Sequence, residues 1–234
     1  MNIFDSFVYK TEEILSEYEM FVSVETASWP IEEKAQFIME RDTAVELGGY
    51  PKDSINLLLS SSSFDMCNNS VIIVGDGEVD LKVKSHISFG KIVLLKTREV
   101  PDDEVYEFTQ KLQISEVKFN LNGVMQRSSS ERFFTNLRIS KQAIEEGFSL
   151  PKYGNAVCEH FKRMDAVECV KVILILGESL LYKQLLPIAE DVKKVTIALN
   201  TIFDGIDMEC GSCNLNEICD EVEGLRRIHN QRLP

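Results

Sequence analysis

The 234-residue chain is short of positive charge: 25 Lys and Arg stand against 38 Asp and Glu, a formal net charge of −13. Phosphate backbones are held by Lys and Arg, so this balance argues against nucleic acid and against anionic membrane surfaces as partners. Long apolar runs are missing too. None approaches the ~20 residues of a membrane span. The first stretch, MNIFDSFVYKTEEILSEYE, carries acids where a signal peptide has a basic start and a long apolar core. The expectation is a cytoplasmic protein, whose thiols stay reduced. Histidine is scarce, with only His86, His160 and His229, and no Ser-His-Asp or Cys-His arrangement can be argued from them. His160 reads as a surface residue of a helix, and the single tryptophan, Trp29, as a core or interface plug. No GxGxxG or phosphate-loop motif occurs, so no dinucleotide or nucleotide site follows from a motif.

What is present is an ordinary globular composition, 44% hydrophobic and 27% charged. The length suffices for one large domain with or without a small appendage. Three of the six cysteines fall together as C-x2-C-x5-C, at Cys210, Cys213 and Cys219. Two sulfurs separated by two residues can reach one metal centre, and a third can close over it after another turn. Gly211 permits the tight backbone such a loop needs, and its amides can point at the sulfurs. In a reducing compartment clustered cysteines favour metal over disulfide. The spacing suits an iron–sulfur cluster or zinc. The fourth ligand is open: His229 would make a Cys3His zinc site, a cluster could leave one iron open, and Cys67, Cys158 or Cys169 could arrive from elsewhere in the fold.

The rest of the chain alternates strand and helix. Residues 2–19 have apolar positions at helical spacing, and a second short helix is expected from Ile31 to Arg41 after the break at Trp29-Pro30. Apolar runs at AVELGG, SINLLLS, VIIVGD and GKIVLLKT precede a helix opened by Pro101-Asp102-Asp103-Glu104. KFNLNGV is a strand and turn, residues 126–132 are polar, and residues 133–139 are apolar again. Helices start at Ser140 and Pro151. VECVKVILILG is the strongest strand and reads as central in a sheet. Two helical runs follow, Leu180 to Ile188 and Glu190 to Leu199. The expected fold is a layered α/β domain over residues 42–205. A short helical region (1–41) precedes it and a cysteine-rich metal loop with a short helix (206–234) follows. Arg127, Arg132 and Arg138 could form an anion site for a nucleotide or coenzyme A phosphates.

Several stretches resemble the middle domain of the acetyl-CoA synthase (beta) subunit of the carbon monoxide dehydrogenase/acetyl-CoA synthase complex. They are TAVELGG with SINLLLS, SVIIVGDGEVD, FGKIVLL and ERFFTNLRISKQAIEEGFSLPKYGNAV. In the last, Leu137, Arg138, Ser140, Lys141, Gly147, Phe148, Tyr153 and Gly154 match in register. FDGIDMECGSC is similar to the segment that carries the family's first two cluster cysteines. The resemblance covers about residues 42–219. It implies anaerobic acetyl-CoA or one-carbon metabolism, with a protein partner of a dehydrogenase/synthase or redox system. It further implies Cys210, Cys213 and Cys219 as ligands of a 4Fe–4S cluster. Coenzyme A would lie near Arg127, at the family's tryptophan position, with Arg132 and Arg138 retained. The Cys-Gly-Cys segment that holds the outer nickel has no counterpart, so nickel is not expected on this chain alone.

Overall fold

A computed structural model describes residues 3–65, 68–75, 86–130, 132–177, 179–204, 213, 215–222 and 224–232. The order of one five-stranded sheet organises them: β1 (Met20–Val22), β5 (Ser70–Gly75), β11 (Val167–Leu176), β7 (Phe89–Thr97), β4 (Ser54–Ser61). The sheet is mixed, with β11 parallel to β5 and antiparallel to β7. β11 lies at its centre, as the length and apolarity of VECVKVILIL predict. Alternation then divides the strand between two cores. Ile173 and Ile175 face one, and Val172, Leu174 and Leu176 the other.

The first core is closed by α1 (Asp5–Leu15), the 25-residue α5 (Ser179–Phe203), and two short helices, α6 (Asn216–Glu221) and α7 (Leu225–Arg232). The second is closed by α2 (Val105–Val117), α4 (Leu150–Lys162) and a second sheet. That sheet runs β2 (Ile31–Glu32), β8 (Asn120–Leu121), β9 (Val124–Ser129), β10 (Phe134–Ser140), β3 (Thr43–Gly48), β6 (His86–Ile87). It presents Val45, Leu47, Leu137 and Ile139 to the core. The architecture is therefore α/β, layered as helices, sheet, then helices with a second sheet. No helix among the described residues is long and apolar enough to cross a membrane.

Several residues that carry the family resemblance hold this packing together. Ser140 caps α3 (Lys141–Glu145), its Oγ accepting from the Ala143 N–H at 3.1 Å. Gly147 ends that turn at φ +86°. Gly154 lets α4 lie directly on β5: a Cβ there would stand 2.4 Å from Val71 Cγ1. Tyr153 and Phe148 fill the space between the second sheet and the first.

Two expectations are corrected. Residues 31–41 form no second helix. Ile31 and Glu32 pair with β8, and only a 3-10 turn, Glu40–Asp42, follows. Local helix signals lose to the pairing because Trp29 and the Pro30 carbonyl are already anchored: Trp29 Nε1–H donates to the Asn122 carbonyl at 2.7 Å, and the Asn122 N–H to Pro30 at 3.0 Å. The polar residues 126–129 lie in β9, which needs only one apolar face. The two helical runs near Pro187 are one helix, α5, with the proline inside it. Trp29 itself is a core plug, 4% exposed and edge-on to Phe148 at 5.2 Å.

Candidate functional site

The cysteine segment falls mostly outside the described residues: Cys210 and Cys67 are among those not described, while Cys213 and Cys219 are. Both sulfur-bearing residues are half-buried against the first core, beside Leu215 and Ile218. Cys219 is held on α6, its N–H donating to the Leu215 carbonyl at 3.1 Å. The Leu215 N–H donates to Cys213 Sγ at 3.4 Å. An amide two residues on, aimed at a cysteine sulfur, offsets negative charge there, which a metal-bound thiolate carries and a neutral thiol does not. His229 is half-buried on α7. Among the described residues, no group of three or more His, Cys, Asp or Glu comes together as a metal site. Cys213, Cys219 and His229 therefore do not make a three-ligand set by themselves. The described residues supply two sulfurs whose chemistry fits a thiolate-bound metal group, in a segment continuous with Cys210.

The remaining cysteines are placed elsewhere. Cys158 is buried under β5 and β11, and burial, with the Glu159 charge adding, pushes its thiol up to about 12. Cys169 lies half-buried on β11.

The arginines are on the second sheet. Arg127 lies opposite Asn136, and Arg138 lies opposite both Met125 and Glu46. Cross-strand partners share a face, so Arg127, Asn136 and Arg138 stand together on the face away from the core. Arg132 sits in the turn joining β9 to β10. Arg127 and Arg132 are exposed and make no ion pair among the described residues. Arg138 is engaged: it reaches Glu46 Oε1 and Oε2 at 3.3 and 3.4 Å and donates to the Ile38 carbonyl at 3.3 Å. Its contacts tie the segment before β3 to the sheet, and the two remaining arginines are the ones with charge to offer.

Beneath that turn is a feature the sequence reading missed. Lys91 and Glu116 form an ion pair at 3.1 Å with side chains only 1% and 2% exposed. Asn56 Nδ2 donates to the same carboxylate at 2.8 Å, and the Ser130 N–H donates to its other oxygen at 3.1 Å. Burial pushes the Glu116 carboxyl up, but the Lys91 ammonium, with hydrogen bonds from Asn56, from Lys91 itself and from Ser130, outweighs it and holds the group below the usual carboxylate range. Burial, with the Glu116 charge adding, raises the nearby Tyr153 phenol well above its usual range. The available signal was the parity of FGKIVLLKT: Lys91 alternates with Phe89, Val93 and Leu95, all core residues. His160, expected on the surface, is half-buried on Phe119, with ring centroids 4.9 Å apart, and its Nε2 lies 2.8 Å from the Ser115 carbonyl. An open cleft of about 360 Å³ lies between α2 and the turn after α4. Arg98, Lys111 and Arg163 on its wall are matched by four carboxylates.

The family model of the CO dehydrogenase/acetyl-CoA synthase complex beta subunit matches residues 29–180. That is well over half of the chain. The chain belongs to this beta-subunit family. The match starts at Trp29, ahead of the resemblance seen in the sequence, and takes in Lys91, Glu116 and all three arginines. It ends before Cys210, so the likeness of FDGIDMECGSC to the family's cluster segment lies outside the matched residues. Membership in a complex-subunit family also implies protein partners. No curated protein matches the chain.

Proposed function

We propose that this beta-subunit relative is an iron–sulfur protein of anaerobic acetyl-CoA or one-carbon metabolism, with Cys210, Cys213 and Cys219 as ligands of a 4Fe–4S cluster. The observation that carries the reading is the Leu215 amide directed at Cys213 Sγ, in a C-x2-C-x5-C segment. A cluster with three protein sulfurs supplies one electron-transfer centre and leaves one iron open to a small ligand. The chain's own residues hold and shield it: Cys219 is fixed by α6, and Leu215 and Ile218 exclude water on the core side. Arg127 and Arg132 form the anion face for coenzyme A phosphates, with Arg138 bracing the strand beneath them.

The test is iron, zinc and acid-labile sulfide analysis with a visible spectrum on protein purified without oxygen. About four irons and four sulfides per chain are expected. C210S, C213S and C219S should each lower both counts, and H229Q should leave them unchanged. Colourless protein with about one zinc per chain, lost in H229Q, would replace this reading with a zinc-stapled interaction module.

A further inference from the structure

We propose that the buried Lys91–Glu116 pair is a positioning device for the β9–β10 turn, fixing Arg132 and the adjoining end of β9 that carries Arg127 for an anionic ligand. The inference rests on the coenzyme A reading of those arginines. Replacing a buried ion pair by apolar side chains of similar volume is often neutral or stabilising, so stability alone gives the pair no reason to be charged. Its geometry gives one. Glu116, on the last turn of α2, divides its oxygens. Oε1 takes Lys91 of β7 and Asn56 of β4, both in the central sheet. Oε2 takes the Ser130 N–H, in the turn. Asn56 reinforces the link through its backbone, its N–H donating to the Phe133 carbonyl at 3.1 Å. Ser130 and Phe133, on either side of Arg132, are thus each tied to the rigid sheet.

The turn needs such ties. Phe133 has φ +42°, a left-handed conformation that a bulky residue adopts only when its surroundings impose it. Arg132 is held locally by its own N–H, which donates to Ser129 Oγ at 3.3 Å. An apolar pair in place of Lys91 and Glu116 would fill the same volume and leave the Ser130 amide without an acceptor. Arg132 would then be presented from a turn with one anchor instead of two.

Two double variants isolate the acceptor. K91M/E116Q and K91M/E116L both remove the ion pair. In the first, the introduced glutamine retains an oxygen for the Ser130 N–H, and its amide can donate to Asn56 Oδ1, which is buried and has no partner among the described residues. In the second, the introduced leucine can do neither. Coenzyme A binding is measured by titration calorimetry on the intact chain, at a temperature where thermal melts show each variant folded. Loss of one charge-assisted contact should weaken binding about tenfold in R132A, with about the same loss in K91M/E116L. Binding by K91M/E116Q should stay close to wild type. S130P removes the same N–H while leaving the buried pair intact, and Ser129 is already extended, as a residue before proline must be. It should match K91M/E116L, and it supplies the comparison if that variant does not fold. Loss in R132A without loss in K91M/E116L or S130P overturns the positioning role alone. Equal binding by wild type and R132A, or none by either, overturns the arginine reading beneath it.

Discussion

Substitution of Gly154 by alanine tests whether the α4–β5 contact is as close as the packing requires. The added Cβ would meet Val71 Cγ1 at 2.4 Å, Cγ2 at 2.9 Å and Cβ at 3.2 Å. Val71 is 3% exposed, on a strand paired with β11, and has little room to retreat. Overpacking of this severity belongs near the upper end of the usual cost, about 3 kcal/mol, against a helix-propensity gain of ~1 kcal/mol for Ala over Gly. A net loss of about 2 kcal/mol is expected. V71A alone removes two methyl groups, about 1.6 kcal/mol before any cavity term. If the clash is the cause, G154A/V71A should be no less stable than V71A, because only the 3.2 Å contact remains. Independent effects would instead sum to a loss of about 3.6 kcal/mol. Urea titration followed by the fluorescence of buried Trp29 measures all four proteins. A G154A midpoint equal to wild type, or additive losses in the double variant, would refute the reasoning.

Two further outcomes follow from buried titratable groups. His160 is held below its usual 6.5, chiefly by burial, and Glu116 below its usual 4.5. In both cases the unfolded chain binds the proton first, so both contributions are present at neutral pH and lost on acidification. The urea midpoint should fall as pH drops below 6.5 and again below 4.5, with the first step absent in H160N and the second reduced in K91M/E116L. A profile unchanged by either variant would contradict the assignment. Cys158, with its thiol near 12, should resist iodoacetamide at about pH 8 in the native protein and react only in urea. Peptide mapping that finds it alkylated as fast as half-buried Cys169 would show the site to be open.

The sequence made the strand-rich core legible because burial on both faces leaves a direct trace: VIIV, KIVLL and VILIL are apolar runs too short for helices and rich in β-branched residues. Cap chemistry at Ser140, Gly147 and Pro151 was legible for the same local reason. The errors share a different physics. Pro30 and the spacing after it favour a helix, but the cross-strand pairing of Ile31 with Leu121 comes from residues far along the chain. Pro187 signals a break, yet α5 is packed along its length against α1 and the central sheet, which sustains the helix through it. At the candidate sites, the C-x2-C-x5-C spacing could be read as a candidate metal segment without tertiary information. The arginines could be named but not sorted. Only the registers of β9, β10 and β3 reveal that Arg138 faces Glu46 while Arg127 does not. The Lys91–Glu116 pair left almost no trace, because its two halves lie on different elements.

The strand order has a consequence for biosynthesis. β5 and β7 are never neighbours; β11 alone joins them. Until residues 167–176 have left the ribosome, the central sheet exists only as two unjoined halves, β1-β5 and β4-β7. Each half exposes an apolar edge, VIIV on one and KIVLL on the other. Such edges are templates for pairing with other chains. The nascent protein is thus exposed to aggregation for most of its synthesis. A chain stopped before β11 should collect as inclusion bodies or bind chaperones, while one that extends through β11 closes both edges with a single strand.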